Sequence, residues 1–473
     1  MANHFESYHL TRIASLTILL TLILSISSFS NANAQNRAGV WITTTDSSFL
    51  LKKIEAVQIH STTQVPDNAI VIDTERRCQE MDGVGAALTW SSAFVLKNNL
   101  SAPARTILLK ELFTPEGIGI NYLRLTIGSS DFSNGNHSYS ESPDSSLSNF
   151  SLDMDEEEVI PVLKEILKIN PSIKIMSSPW SPPAWMKTSG SMVGGSLKRD
   201  CYKVYADYLI KYVKSMAKLN ITIDAITVQN EPEYGTATYP CMFMTAQEQK
   251  EFIRDYLGPQ MKQEGVNFKI ILFDHNCDSP QYPISIMDDP EAKRYVDGSG
   301  FHLYKGEISA LCTVHSAHPD KNIYFTEQSG GGWAPGFGEN IEWFAGNLII
   351  GATRCWSKNV LFWNLALNEH DGPTNNGCKD CWGVVQVSSE GKIKRNAEYY
   401  ALGHFGKFVQ AGAFRIVTAQ DKVLNTAFIN PDGSKVVIAM NQEKIAQNLT
   451  IACNGKSFTY NLASGALATF YWK

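Results

Sequence analysis

Two acidic side chains stand at the ends of short apolar runs in this 473-residue sequence: Glu231 in Thr227-Val228-Gln229-Asn230-Glu231-Pro232-Glu233, and Glu327 in Tyr324-Phe325-Thr326-Glu327-Gln328. Runs of this kind read as buried parallel strands, and a carboxylate just past each would face a common rim. Two carboxylates on one rim suit proton donation and nucleophilic attack at an acetal carbon, the chemistry of glycosidic-bond hydrolysis by double displacement. In that scheme Glu231 is the acid/base, protonated at rest because the second carboxylate raises its pKa by like-charge repulsion, and Glu327 is the ionised nucleophile. Glu233, two residues further on, is the competing acid. Retention of configuration requires carboxyl groups about 5 Å apart, and inversion roughly 6.5 to 9.5 Å.

The elements that must position these groups follow from spacing. Glu231 and Glu327 are separated by about 96 residues, close to three strand–helix units of roughly 32 residues each, which fits strands 4 and 7 of an eight-fold barrel. Eight candidate strands occur, near Glu80–Ala87, Tyr122–Thr126, Ile173–Ser177, Ala225–Gln229, Lys269–Phe273, Gly298–His302, Ile323–Thr326 and Val360–Asn364, alternating with helical patterns. Barrel sites sit at the C-terminal strand ends, which here offer Arg124, Asp131, Trp180, Asn230, Asp274, His302, Tyr304, Trp363 and Asn364 as companions to the glutamates. Each has a structural reading alone, such as a buried ion pair or a packed indole, but their convergence on one rim reads as a substrate site. Asn230 would hydrogen-bond a sugar 2-hydroxyl, and Arg124 and Tyr304 would keep Glu327 ionised.

The flanks are different. Val40–Thr45, Ala69–Asp73 and the hairpin pattern Val423–Ile429, Asn430-Pro431-Asp432-Gly433, Lys435–Asn441 read as β-structure, with more strands out to Trp472. The expected architecture is α/β: a (β/α)8 barrel at 78–408, with an all-β sandwich built from strands at 35–77 and 409–473. Residues 1–34 read as a secretory signal: a weakly basic start, an apolar core from Ile13 to Leu24, and Ala32-Asn33-Ala34 as the cleavage site. The mature chain would be secreted, with no membrane span. Export permits disulfides, and Cys378-Lys379-Asp380-Cys381 reads as a small loop disulfide, since no second ligand pair follows at zinc spacing; nine cysteines leave at least one unpaired. No cofactor and no metal is called for. With 41 basic and 47 acidic side chains, net charge −6 and 19% charged residues, nothing marks a nucleic-acid partner, and a neutral sugar suits the balance.

Several strings resemble glycoside hydrolase family 30, the glucosylceramidase-like family: Phe113-Thr114-Pro115-Glu116-Gly117-Ile118-Gly119-Ile120-Asn121-Tyr122-Leu123-Arg124-Leu125, Ser130-Asp131-Phe132-Ser133, Ser177-Ser178-Pro179-Trp180-Ser181-Pro182-Pro183-Ala184-Trp185-Met186-Lys187 and Phe362-Trp363-Asn364-Leu365-Ala366-Leu367-Asn368. The resemblance runs from about Gly83 to the C-terminus. It implies a barrel fused to a β-sandwich, Glu231 as acid/base, Glu327 as nucleophile, sugar contacts from Asp131, Trp180, Asn230 and Trp363, and His302 and Tyr304 near the nucleophile. The implied substrate is a β-linked glucoside: a glucosylceramide-type glycolipid or a β-1,6-glucan, with a β-xyloside as a third option. The loop Gln328-Ser329-Gly330-Gly331-Gly332-Trp333 departs from the pattern and bears on the leaving-group side. A carbohydrate-binding protein without turnover is the reading from another class, and it would have been favoured by loss of either glutamate.

Overall fold

Eight parallel strands close on themselves because their apolar runs can be buried on both faces, one toward the barrel axis and one toward the surrounding helices. In a computed structural model that describes residues 36–67, 69–418 and 423–473, these strands are Gly83–Ala87, Tyr122–Ile127, Lys174–Pro179, Ala225–Thr227, Lys269–Cys277, Val296–Gly306, Asn322–Glu327 and Ser357–Asn364. They form one closed barrel in chain order, the eighth pairing with the first. Tyr122, Met176, Ala225, Ile271, Tyr324 and Leu361 fill its interior as one apolar cluster below the rim. Outside, amphipathic helices such as Val159–Ile169 and Tyr202–Lys218 bury one face against the strands. The secretory signal expected at 1–34 lies outside the described residues. Among the described residues no helix is long and apolar enough to cross a membrane.

The N- and C-terminal β-segments meet in one ten-stranded sheet around a second apolar cluster. Strand Arg37–Thr44 pairs on one side with Lys52–Gln58 and on the other with Ala466–Trp472. Strand Ile70–Glu80 lies between Phe414–Thr418 and Gln447–Cys453, and runs three residues past the expected boundary at 77. The barrel's last helix, Ala397–Gly406, fastens the two units through His404. Its buried imidazole meets Thr469 Oγ1 at 2.8 Å through Nδ1 and Thr43 Oγ1 at 2.8 Å through Nε2. The Thr469 hydroxyl also donates to the His404 carbonyl at 2.9 Å. Burial holds this histidine down to about 3, so it is neutral.

Two disulfides are present among the described residues. Cys378–Cys381 is the one expected, and Cys312–Cys355 joins the helix Ser309–Ala317 to the turn before the eighth strand across 43 residues.

Candidate active site

In and just past the fourth and fifth strands, three non-glycine residues adopt left-handed backbone: Glu231 (φ 47°) just past the fourth, and Phe273 (φ 67°) and Asp274 (φ 60°) midway along the fifth. Such conformations cost of order 1–3 kcal/mol each and persist only where the surroundings enforce them. Here the Glu231 N–H donates to the Asp274 carbonyl at 2.9 Å, tying the segment after the fourth strand to the fifth.

A guanidinium organises the floor. Arg124, fully buried on the second strand, donates through Nη1 to Glu327 Oε2, through Nη2 to Asn230 Oδ1 at 2.8 Å and to Asp274 Oδ2 at 2.7 Å, and through Nε to Ser178 Oγ at 3.1 Å. Asp274 also accepts from Thr227 Oγ1 at 2.7 Å and Thr326 Oγ1 at 2.6 Å, and faces His302 Nε2 at 3.1 Å. The other ring nitrogen of His302 lies 3.0 Å from Glu231 Oε1 and 3.8 Å from Glu327 Oε1. The Tyr304 hydroxyl donates to Glu327 Oε1 at 3.0 Å. One atom each from Glu231, His302 and Glu327 lie within 4.8 Å of one another.

Charge follows from this packing. Burial pulls His302 down, but the Glu327 charge and the hydrogen bonds to Asp274 and Glu231 lift it to about 9. Burial lifts Glu327 above its ordinary value, against the pull of His302 and Arg124. Burial acts the same way on Glu231, but the hydrogen bond and charge of His302 bring it below its ordinary value. The like-charge expectation of a raised Glu231 is therefore not met. It omitted His302, which was placed beside the nucleophile and is hydrogen-bonded to Glu231.

Above this floor opens a cavity of about 580 Å³, lined among others by Asp131, Trp180, Asn230, Glu231, Tyr304, Glu327 and Trp363. A roomier hollow of about 920 Å³ lies against the outer helices Ala102–Phe113 and Val159–Ile169, with no strand-end residue in its wall. In the strand-end cavity Trp180 and Trp363 stack at 4.8 Å, with the Arg124 guanidinium 4.9 Å and 5.5 Å from their rings. Asp131 is buried with Oδ1 unpartnered, and burial and the Glu327 charge raise it well above its ordinary value. Asn230, its carbonyl taken by Arg124, has an amide that donates to no protein group among the described residues.

The family models decide the class: the glycosyl hydrolase family 30 TIM-barrel domain matches residues 81–409, and the family's beta sandwich domain matches residues 412–470. The chain belongs to glycoside hydrolase family 30. It is 35% identical over 351 residues to an endo-1,6-beta-D-glucanase of Neurospora crassa, covering 71% of this chain and 72% of that enzyme. It is 31% identical over 436 residues to the lysosomal acid glucosylceramidase of Mus musculus, covering 85% and 83%. Among solved structures, the endo-beta1,6-glucanase BT3312 superposes with a TM-score of 0.86 at 31% identity, covering 92% of this chain and 99% of that one.

For a family 30 hydrolase, the floor corrects one expectation. Arg124, Asp274, His302 and Asn364, which the sequence places among the strand-end companions of the glutamates in a substrate site, are buried and do not line the cavity. The first three hold the glutamates from beneath, and Asn364 accepts from Thr89 Oγ1 at 2.8 Å on the far side. Sequence reasoning missed the wall residues Tyr234, Tyr239, His275 and Asn276, and placed Trp333 only as the end of the Gly-rich loop on the leaving-group side. His275 and Asn276 extend the fifth strand past Asp274, and Asn276 Oδ1 accepts the backbone N–H groups of Tyr304 and Lys305 at 2.9 and 3.2 Å. The Gly-rich loop is stitched to the Cys378–Cys381 disulfide loop by Gly332 N–H to Asp380 O and Trp382 N–H to Gly330 O, both at 2.8 Å. An exposed tryptophan after three glycines, Trp333, was the available signal.

Proposed function

We propose that this family 30 enzyme hydrolyses β-glucosidic bonds with retention of configuration, with β-1,6-linked glucan as its substrate. The observation that carries retention is the approach of the two carboxylates, one oxygen of each lying within 4.8 Å of the other. That leaves no room for the water that inversion inserts between acid and base, which needs roughly 6.5 Å or more. Glu231 delivers a proton to the leaving-group oxygen while Glu327 attacks the anomeric carbon. Glu231, now a base, then takes a proton from the water that releases the sugar. The proton comes from the His302–Glu231 pair, whose 3.0 Å hydrogen bond is one transfer away from the acid form. With the proton on that side, the Arg124 and Tyr304 donors hold Glu327 ionised. Asp131, whose Oδ1 has no partner, and the Asn230 amide are left to bind the sugar's hydroxyls.

Support for a glucan comes from the likeness to two endo-1,6-glucanases over most of their lengths. Glucosylceramide is the second reading, favoured by the 85% of this chain aligned with the mouse glucosylceramidase. The two disulfides favour an oxidising, extracytoplasmic setting.

Hydrolysis of an aryl β-glucoside by wild type, Glu231→Gln and Glu327→Gln tests the roles; full activity in either variant removes that residue from the mechanism. Proton NMR of the first-formed product should show the β-anomer, and the α-anomer refutes retention. Parallel rates on β-1,6-glucan, glucosylceramide and an aryl β-xyloside rank the substrates.

A further inference from the structure

The cavity over the glutamates does not end at its own wall. A second hollow of about 690 Å³, lined by Pro232, Glu233, Phe243, Asp278 and Tyr282 among others, shares Glu233, Asp278 and Ser279 with it, so the two form one groove. The groove leaves the site on the Glu231 side, beginning two residues past that carboxylate. The acid must face the leaving oxygen, so the leaving group extends into this groove.

Phe243 forms the platform of the second hollow. Its side chain is 48% exposed, whereas most other phenylalanines are buried. The ring lies against the backbone of Gly235: a Cβ there would lie 2.3 Å from Phe243 Cε2, so a larger residue would push the ring aside. Its backbone is pinned by N–H donation to Gly195 O at 2.9 Å, and that of Met244 by donation to Pro232 O at 2.9 Å. Opposite, the Tyr282 hydroxyl donates to the Met244 carbonyl at 2.7 Å. Between the hollows stand two exposed carboxylates, Glu233 and Asp278, and among the described residues neither side chain has a salt bridge or hydrogen-bond partner. An open aromatic face beside free acceptors matches a sugar ring, which offers an apolar C–H face and donating hydroxyls at its edge. It suits an alkyl chain poorly, because seating one would strip water from two carboxylates.

We infer that Phe243, with Glu233 and Asp278, forms a distal leaving-group subsite that holds a glucosyl unit of a β-glucan beyond the one adjoining the cleaved bond. This inference rests on the β-glucosidase reading and makes the enzyme one that cuts within chains. The test compares kcat/KM on an aryl β-glucoside with that on β-1,6-linked gluco-oligosaccharides of increasing length. In wild type, kcat/KM rises with length beyond the disaccharide. Phe243→Ala and Phe243→Leu lower the ratio of long-oligomer to aryl-glucoside kcat/KM about ten-fold, equal to about 1.4 kcal/mol, and Phe243→Trp restores it. Gly235→Ala, which displaces the ring, acts like Phe243→Ala. Retention of the wild-type ratio by Phe243→Ala overturns the inference, as does full function in Phe243→Leu, which keeps an apolar surface without a flat face. Calorimetric binding of a long oligomer to Glu327→Gln, with and without Phe243→Ala, reads the subsite without turnover. A wild type that cleaves no β-glucoside yet loses oligomer binding with Phe243→Ala refutes the activity and keeps the subsite; equal binding refutes the subsite.

Discussion

Replacing Asp274 with asparagine separates the floor of the site from the carboxylates that work above it. The fully buried Asp274 carboxylate gathers Arg124, His302, Ser178, Thr227 and Thr326, at 2.6 to 3.1 Å. Asparagine has the same shape but one acceptor oxygen, and its NH2 must face groups that are themselves donors. Breaking the buried pair with Arg124 while leaving the guanidinium in place costs about 3–5 kcal/mol of stability, visible as a lower denaturant midpoint. Activity falls as well, because Arg124 and His302 are the groups that hold Glu327 and Glu231. Weakening charge-assisted hydrogen bonds worth about 1.5–3 kcal/mol each lowers kcat/KM for an aryl β-glucoside by about a hundred-fold. Loss of the Asp274 charge also removes one of the contacts that lift His302 to about 9, so the alkaline limb of the pH profile moves to lower pH. A variant whose kcat/KM stays within about three-fold of wild type on an unmoved profile, at any stability, would refute the idea that this floor aims the glutamates.

Other outcomes follow from the same contacts. In His302→Asn the catalytic proton must reside on Glu231 itself, so the alkaline limb of kcat/KM, set near 9 in wild type by His302, falls by at least about one pH unit; a titration of rate against pH reads it. Glu398 is buried beneath the Gly-rich loop and lifted by burial from 4.5 to about 8, so its stabilising effect is complete below 4.5 and is lost as pH rises through 8. Glu398→Gln therefore stabilises relative to wild type at pH 9 and not at pH 4, by at most about 5 kcal/mol in denaturation curves. His404, held from 6.5 down to about 3 by burial, acts in the opposite sense: stability present above 6.5 is lost as pH falls toward 3, again by at most about 5 kcal/mol. His404→Gln flattens that acid limb.

The rim was legible because each strand end carries its polar residue directly after an apolar run, as Thr326-Glu327 and Phe362-Trp363 do. Depth was not. Arg124, Asp274 and His302 stand in the same positions of the pattern as Glu327, but their side chains run inward, and the left-handed turns at Phe273, Asp274 and Glu231 that set this leave no mark in residue type. Sandwich strands with a clear apolar face, such as Lys435–Met440, could be read. Lys52–Gln58, charged and half exposed at a sheet edge, could not. The Phe243 hollow escaped for a related reason: it joins the loop after the fourth strand to the one after the fifth, and only the folded chain brings these together.

The interleaving of early and late strands has a consequence for how this molecule is made. Thr43 leaves the ribosome 361 positions ahead of His404, the residue that fastens it. Strand Arg37–Thr44 waits longer still for Ala466–Trp472. A lone two-stranded ribbon with Lys52–Gln58 is marginal in water, and an unpaired edge invites wrong partners. The barrel can assemble as its strands emerge in order, but its companion stays open until the last strand arrives. Synthesis of Ala466–Trp472 is thus the event that closes this sheet, and chains halted before it would expose a sticky edge beside a finished barrel.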